Sequence, residues 1–362
     1  MSLIDVHLKE NSYHIVVGEN ILSDLGKTLH SLNIGRDAVV ITNPGIQKLH
    51  EQPLVDGLHA AGFTVKFFAV PPGERSKSAQ AAFKLLQHIA HYDVKKKILI
   101  IIFGGGVVGD LAGFVAAVYR RGVPYVQVPT TLLAQIDSAI GGKVAIDLPV
   151  GKNLVGAFYQ PKLVFSDVSV LSTLDVRQIR NGLAEAIKYG MICDENFFEF
   201  IEKNSSRLLH FDSPLFKEVV LSCSKIKAKI VMRDEKETKG IRTILNFGHT
   251  VGHAIEAAAG YNFYHHGEAI TLGMRVAAEI SYRLDLLNQN NVLRLNSVLS
   301  KLGLPERIKK VNLAHILQCM EHDKKFRAGK NKFVLATKVG SVKVVEDVPF
   351  KIIQASIKTF LS

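Results

Sequence analysis

The feature that most constrains this fold is an apolar run at residues 98–103 that leads directly into glycines. Such a run, without alternating polar residues, is typical of a strand covered on both faces, as in a parallel sheet flanked by helices. Similar runs lie at residues 14–18, 38–42, 64–70 and 125–129. Helical spacing separates some of them, at residues 78–92 and 107–120. We therefore expect an α/β domain with a mostly parallel, Rossmann-like sheet.

The pattern changes near residue 178, beyond which helical spacing dominates and one short hairpin pattern interrupts it at residues 333–345. One helix is predicted over residues 176–202. A chain of 362 residues also exceeds what a single core usually supports. The sequence thus predicts an α/β domain over residues 1–178 and a mainly α-helical domain over residues 179–362.

The turn after the apolar run reads GGGVVGD over residues 104–110. Gly104, Gly106 and Gly109 match GxGxxG in a strand–turn–helix context, where backbone N–H groups can approach a phosphate. The acidic residue usually found about 20 positions later is missing, because residues 128–131 read VPTT. This predicts a nucleotide site built differently from the usual one, and a plain tight turn is the alternative.

Metal-ligand chemistry is indicated in the second half. His249 and His253 are four residues apart, so on a helix both lie on one face. A second pair, His265 and His266, precedes a glycine, and Glu185 interrupts an apolar helical pattern. One glutamate with two histidines can hold zinc and leave a position for substrate. The spacing leaves open which histidines take part. HExxH is absent, which argues against a metalloprotease.

The charge balance favours a small anionic ligand. The chain has 45 basic and 33 acidic side chains, a net charge of +12. The bases are scattered and lack interleaved aromatic residues, so we expect no nucleic-acid partner. Lys143 and Lys152 stand beside glycines and suit a phosphate or carboxylate, with a solvated surface as the alternative. Their segments, residues 137–143 and 151–153, are predicted to be loops.

The compartment follows from features that the chain lacks. Cys193, Cys223 and Cys319 lie far apart without a CxxC pair, which favours reduced thiols. The N-terminal segment has no secretory pattern, and the longest apolar run is far below the ~20 residues of a membrane span. We expect a cytoplasmic protein without membrane contact.

Taken together, these segments resemble the 3-dehydroquinate synthases, members of the sugar-phosphate cyclase superfamily. They follow one another in family order over most of the chain. The matching stretches are GERSKS (73–78), GGGVVGDLAGFVAA (104–117), RG (121–122), PTTLLAQIDSAIGGK (129–143), GKNLVGAFYQP (151–161), GLAEAIKYG (182–190), LNFGHTVGHAIE (245–256), HGEA (266–269) and DKK (323–325).

The resemblance implies specific site residues in both halves. The implied ligands of Zn²⁺ or Co²⁺ are Glu185, His249 and His266. The implied substrate contacts are Arg121 from the neighbouring subunit of a homodimer, with Asp137, Lys143, Asn153, Lys188, Lys227, Arg242, Asn246, His253 and Lys324. Of these, the catalytic set is Lys143, Lys188, Arg242, Asn246 and His253. The implied NAD contacts are Asn43, Gly73, Glu74, Lys77, Gly105, Gly106, Val107, Val108, Gly109, Asp110, Thr130, Thr131, Lys143, Lys152 and Thr173.

The implied activity is that of a carbon–oxygen lyase of the shikimate pathway of aromatic amino acid biosynthesis. It converts 3-deoxy-D-arabino-heptulosonate 7-phosphate to 3-dehydroquinate and phosphate. Transient oxidation at C5 by NAD acidifies C6, phosphate is eliminated, the hydride returns, and an aldol closure forms the ring. NAD is regenerated in each cycle.

Three other functions compete with this interpretation. A polyol dehydrogenase such as glycerol dehydrogenase has a comparable layout but does not need Lys143, Asn153, Lys188 and Arg242. A sister cyclase would make an inosose or a valiolone. A non-catalytic anion-binding protein would have no reason for a Glu–His–His set.

Overall fold

The computed structural model describes residues 1–321 and 331–362. The chain divides into two compact units, and each is made of two segments. The first comprises Met1–Leu174 and Ser213–Lys236, and the second comprises Asp175–Asp212 and Glu237–Ser362. The sequence predicts two continuous domains, so the interleaving of the segments is a feature that the pattern did not reveal.

Eleven strands and twelve α-helices are found in the described residues, numbered here in chain order. The strands are β1 (Ser2–Val6), β2 (Tyr13–Gly18), β3 (Asp37–Thr42), β4 (Thr64–Ala69), β5 (Ile98–Gly104), β6 (Tyr125–Pro129), β7 (Lys143–Leu148), β8 (Gly151–Phe158), β9 (Leu163–Asp167), β10 (Lys332–Lys338) and β11 (Ser341–Glu346). The helices are α1 (Leu25–Leu32), α2 (Pro44–Ala60), α3 (Ala79–Tyr92), α4 (Gly106–Val118), α5 (Val176–Cys193), α6 (Glu195–Asn204), α7 (Ser213–Arg233), α8 (His249–Ala258), α9 (His266–Arg283), α10 (Gln289–Lys301), α11 (Leu313–Glu321) and α12 (Phe350–Phe360).

A seven-stranded sheet forms the centre of the first unit, with strand order β1-β2-β9-β6-β5-β3-β4. Strand β1 is antiparallel to β2, and the other pairs are parallel. Every residue of β5 is buried, as expected for an apolar central strand covered on both faces. The predicted α/β fold with a mostly parallel sheet is thereby confirmed.

Two segments that were predicted as loops are partly regular. Residues 134–138 form a single π-helical turn, and the strands β7 and β8 make a two-stranded antiparallel hairpin. Along β7, Val144 and Ile146 are buried whereas Lys143 is exposed, which is the alternation of a half-buried strand. The loop prediction for Lys143 and for residues 151–153 was wrong, because the glycines next to these segments outweighed a short alternating pattern.

The second unit is mainly helical, with the hairpin of β10 and β11 as its only sheet in the described residues. The single helix predicted over residues 176–202 is two helices, α5 and α6, separated at Asp194. Asp194 has an extended backbone, and its side chain accepts a hydrogen bond from the Phe197 N–H, so it caps α6. Among the described residues, no helix has the length and apolar character needed to cross a membrane.

Candidate functional site

Three side chains from three helices of the second unit meet at one point. Glu185 lies on α5, His249 begins α8 and His266 begins α9. The Nε2 atoms of His249 and His266 lie 3.5 Å and 3.4 Å from Oε1 of Glu185. One potential ligand atom from each residue lies within 4.8 Å of the others. The three predicted metal ligands are therefore brought together, and their atoms are a donor set that Zn²⁺ or Co²⁺ accepts.

Glycines allow α8 and α9 to approach closely enough for this meeting. A Cβ on Gly273 would lie 1.9 Å from the carbonyl oxygen of Gly248, and a Cβ on Gly252 would lie 3.0 Å from that of Ala269. At the start of α9, a Cβ on Gly267 would lie 2.3 Å from the carbonyl oxygen of Asn181. Side chains at these positions would separate the helices, so the glycines around the histidines serve the packing that positions them.

Each imidazole of the trio has a partner on its other ring nitrogen. Nδ1 of His249 lies 3.1 Å from the backbone carbonyl of Phe247. Nδ1 of His266 lies 3.5 Å from Oε2 of Glu256. A carbonyl oxygen can only accept, so Nδ1 of His249 carries the hydrogen and Nε2 keeps its lone pair for a metal. Sequence reasoning missed Glu256, although it follows His253 by three residues on the same helix.

The electrostatics of the trio are dominated by a completely buried carboxylate. Burial alone would raise the pKa of Glu185, but the ammonium group of Lys188 and the imidazole of His266 outweigh it and lower this pKa to about 2. Burial likewise opposes protonation of His266, yet the carboxylates of Glu185 and Glu256 raise its pKa to about 9. The site therefore keeps negative charge available for a cation.

Two further predicted residues of the second unit, Lys188 and His253, lie near this trio. The ammonium group of Lys188 contacts Oε2 of Glu185 one helical turn away. The exposed ring of His253 lies 5.2 Å from that of His249 and 5.9 Å from that of His266, between ring centroids. Arg242 is buried and shares with Asn246 the 3₁₀ helix that precedes α8. Lys324 lies outside the described residues.

The predicted glycine turn in the first unit joins β5 to α4. Gly105 caps α4 with an extended backbone and without a side-chain hydrogen bond. A Cβ on Gly105 would lie 3.0 Å from Cγ2 of Thr131, so the turn runs close to the end of β6. The N–H groups of the first turn of α4 thus face no capping side chain, which is how a helix receives a phosphate.

Most of the other predicted cofactor residues follow the carboxyl ends of five neighbouring strands, which is where parallel α/β sheets bind ligands. Asn43 follows β3, where its side chain accepts from the N–H of Ile46 and caps α2. Thr173 ends the 3₁₀ helix that follows β9, and its hydroxyl lies 3.0 Å from Nε2 of His50. The remaining members follow β4, β5 and β6, at Gly73, Glu74, Gly106, Val107, Val108, Gly109, Thr130 and Thr131.

A buried lysine links several of these segments. Lys77 lies 2.6 Å from Oδ2 of Asp110 on α4, and it also contacts the side-chain oxygen of Asn153. The N–H of Asn153 donates to Asp147, a residue that the sequence reasoning missed. Burial raises the pKa of Asp110 although Lys77 lowers it. Asn153, predicted to contact substrate, is therefore joined to two residues predicted to contact the cofactor.

The remaining predicted residues of the first unit lie in three places. Lys227 on α7 contacts Asp137 of the π-helical turn, so two predicted substrate contacts form one ion pair. Lys152 lies 3.6 Å from Oε1 of Glu74, and Lys143 is exposed at the start of β7. The exposed Arg121 has a left-handed backbone, with a φ of 64°.

Comparison with known proteins agrees with the fold and with the donor set. A 2-deoxy-scyllo-inosose synthase, solved with carbaglucose-6-phosphate, NAD⁺ and Co²⁺, superposes with a TM-score of 0.90 and 26% identity over 99% of this chain and 100% of that one. A 2-epi-5-epi-valiolone synthase from Streptomyces hygroscopicus subsp. jinggangensis, with NAD⁺ and Zn²⁺ bound, gives 0.89 and 26% over 98% of both chains. The fold is that of these cyclases.

The sequence comparisons are more specific. The family description "3-dehydroquinate synthase N-terminal" matches residues 67–181, and "3-dehydroquinate synthase C-terminal" matches residues 182–326. The 3-dehydroquinate synthase of Desulforamulus reducens is 44% identical over 96% of this chain and 97% of its own length. That of Pelobacter propionicus is 43% identical over 95% and 96%. The chain belongs to the 3-dehydroquinate synthase family.

Proposed function

We propose that this protein converts 3-deoxy-D-arabino-heptulosonate 7-phosphate to 3-dehydroquinate and phosphate, as a cytoplasmic enzyme of the shikimate pathway. Family membership supports this, and the observation that carries it is the buried carboxylate with two imidazole nitrogens within 4.8 Å. A non-catalytic anion-binding protein would have no use for that set.

The donor set fits Zn²⁺ or Co²⁺. Glu185 would supply one carboxylate oxygen, and His249 and His266 would supply their Nε2 atoms, because their Nδ1 atoms already have acceptors. A metal bound there would polarise the substrate oxygen at C5 and stabilise negative charge on it. The described residues offer three protein ligands at this point, which is typical of an open catalytic site, whereas a closed structural site has four.

The first unit fits NAD. The uncapped first turn of α4 can hold the pyrophosphate, and Asn43, Thr130 and Thr173 lie at neighbouring strand ends. Lys77 orients Asp110 and Asn153 at the same edge. NAD would accept a hydride from C5 and return it later, so that none is consumed.

The substrate carries a carboxylate and a phosphate, and the predicted contacts provide matching charges. Arg242, Lys188 and His253 carry the charges that such groups require, and so do Lys143 and Lys227. Their role is to position the substrate and to balance charge as phosphate departs. The substrate's own phosphate can remove the C6 proton, so no separate protein base is required.

A homodimer with Arg121 reaching the neighbouring site is part of this proposal. Arg120 and Arg121 are both left-handed, with φ values of 48° and 64°, and Gly122 follows with 123°. Such backbone costs about 1–3 kcal/mol per residue and often occurs at functional positions. Asp93 stabilises the turn by accepting from Tyr119 at 2.8 Å and pairing with Arg120 at 2.9 Å.

Mixing two inactive variants tests the dimer. An Arg121→Ala chain and a His249→Ala chain should each be inactive alone, and mixed dimers should regain activity, because one site then has both intact contributions. Equal inactivity of the mixture would show that Arg121 does not act across an interface.

A product assay tests the activity itself. With catalytic NAD and added metal, we expect the heptulosonate phosphate to release phosphate and form 3-dehydroquinate without net NADH. Stoichiometric NADH would indicate a polyol dehydrogenase, and turnover of sedoheptulose 7-phosphate or glucose 6-phosphate instead would indicate a sister cyclase. The variant His249→Ala should lose metal and turnover while it stays folded. Full activity after metal removal would refute the metal assignment.

A further inference from the structure

The two imidazoles of the metal trio are oriented by different kinds of partner. His249 is held by the backbone carbonyl of Phe247, at 3.1 Å from Nδ1. His266 is held by a side chain, since Oε2 of Glu256 lies 3.5 Å from its Nδ1. Only the second contact depends on the identity of a residue outside the trio.

Helix α8 places Glu256 in this position. Glu256 follows His249 by seven residues, so both lie on the same helix face. The glutamate is only 7% exposed, and ionised side chains buried to this degree are normally paired. One helix thus provides a metal ligand of its own and also contacts the ligand supplied by α9.

The two nitrogens of the His266 ring lie between two carboxylates. Nε2 lies 3.4 Å from Glu185, and Nδ1 lies 3.5 Å from Glu256. A carboxylate that accepts the Nδ1 hydrogen leaves the lone pair on Nε2, and it also makes that nitrogen a stronger donor. The ring is therefore turned so that its metal-binding atom faces the buried carboxylate of the trio.

We propose that Glu256 is a positioning residue of the metal site, which fixes the tautomer and the orientation of His266 and increases its donor strength. The inference rests on the proposed function in that a divalent metal binds the trio. It assigns Glu256 a role in metal affinity that none of the three ligands can supply.

Metal affinity of the full-length protein tests this role. Metal-free protein is titrated with Co²⁺ against a competing chelator, and the visible absorption of bound Co²⁺ reports the ligand geometry. Glu256→Ala should weaken Co²⁺ binding about 10–100-fold and alter the spectrum. Glu256→Gln should lose less, because its amide oxygen still accepts from Nδ1 but carries no charge.

Matched controls separate this role from a structural one. Glu279→Ala and Glu279→Gln make the same changes on α9, where Glu279 pairs with Arg283 at 2.8 Å, and both should bind Co²⁺ like the wild type. The affinity for NAD should stay unchanged in the Glu256 variants, and their metal-free forms should still unfold in one cooperative transition, with the midpoint lowered only by the lost contact with His266. If Glu256→Ala does not fold, Glu256→Gln has nearly the same shape and decides the question.

The outcomes distinguish two failures. If the wild type does not bind Co²⁺, the proposed metal-dependent function fails. If the wild type binds Co²⁺ and both Glu256 variants bind it equally well with an unchanged spectrum, the role of Glu256 is refuted. A loss of Co²⁺ affinity together with an equal loss of NAD affinity would also refute it, because Glu256 would then act on the fold as a whole.

Discussion

Replacing Gly273 by alanine tests whether the close contact of α8 and α9 sets the metal site. The new Cβ would lie 1.9 Å from the carbonyl oxygen of Gly248 and 2.7 Å from the amide nitrogen of Gly252. Carbon and oxygen atoms without a bond approach to roughly 3.3 Å, so the helices must separate by about 1.4 Å at this contact. Overpacking costs about 1–3 kcal/mol, and removing a helical glycine recovers up to about 1 kcal/mol. Because an overlap at 1.9 Å is severe, the upper overpacking value applies, and we expect a net loss of about 2 kcal/mol.

The larger effect should fall on the metal. His249 directly follows Gly248, and metal–ligand distances tolerate only about 0.2 Å. A shift of about 1 Å should therefore lower Co²⁺ affinity at least tenfold and turnover about 100-fold.

Urea unfolding of the metal-free protein and Co²⁺ titration give the two magnitudes. The control is Gly45→Ala on α2, where the nearest atom to the new Cβ is Oδ1 of Asn43 at 3.4 Å. This control should be neutral or slightly stabilising, and it should leave Co²⁺ binding unchanged. A Gly273→Ala protein that binds Co²⁺ like the wild type would refute the reasoning, even if it were less stable.

Two further predictions concern charge. Because the pKa of His266 is raised from 6.5 to about 9 in the metal-free protein, metal must displace a proton, so Co²⁺ affinity should rise about tenfold per pH unit up to about pH 9. The same shift predicts that the metal-free protein loses stability between about pH 6.5 and 9, and a flat pH profile in both measurements would contradict it. Lys77→Met should destabilise the protein by about 1–3 kcal/mol and weaken NAD binding, because it leaves the carboxylate of Asp110 without its ammonium partner. Adding Asp110→Asn should recover part of the stability in urea unfolding, and an additive loss would show that the pair is not coupled.

The sequence was sufficient to predict the strands and helices in which apolar residues recur with a regular spacing. The central strand β5 and the long helices produce apolar patterns that depend only on local structure. The weaker elements escaped prediction for identifiable reasons. Strand β9 has three apolar residues, Leu163 to Phe165, before the polar Ser166 and Asp167, and β7 alternates for six residues between glycines. Helix α7 has a clear helical pattern, but a pattern contains no information about which unit a helix packs against.

The candidate site likewise contains residues that the sequence predicts and residues that only the structure reveals. Glu185, His249 and His266 stand out because charged and imidazole groups interrupt apolar helices, and the resemblance then selects His266 over His253. Distances in the structure add what spacing cannot supply. Asp147 and Glu256 contact site residues only after the chain has folded, since each is an ordinary acid in its own segment. Long-range contacts of this kind have no local signature.

Two glycines show most clearly that a sequence motif does not reveal the structural role of its residues. Gly105 and Gly252 both stand in glycine-containing motifs, and the motifs alone do not distinguish what each glycine does. The absence of a side chain at Gly105 leaves the first turn of α4 open to a ligand, whereas at Gly252 it allows the approach of α9. Substitutions at the two glycines should therefore affect different measurements. A side chain at Gly105 should lower NAD affinity and leave metal binding unchanged. A side chain at Gly252 should lower metal affinity and leave NAD binding unchanged. Helix α8 contains His249, Gly252 and Glu256 within ten residues. Metal titration of variants at these three positions therefore distinguishes coordination of the metal, the spacing of α8 and α9, and the orientation of His266.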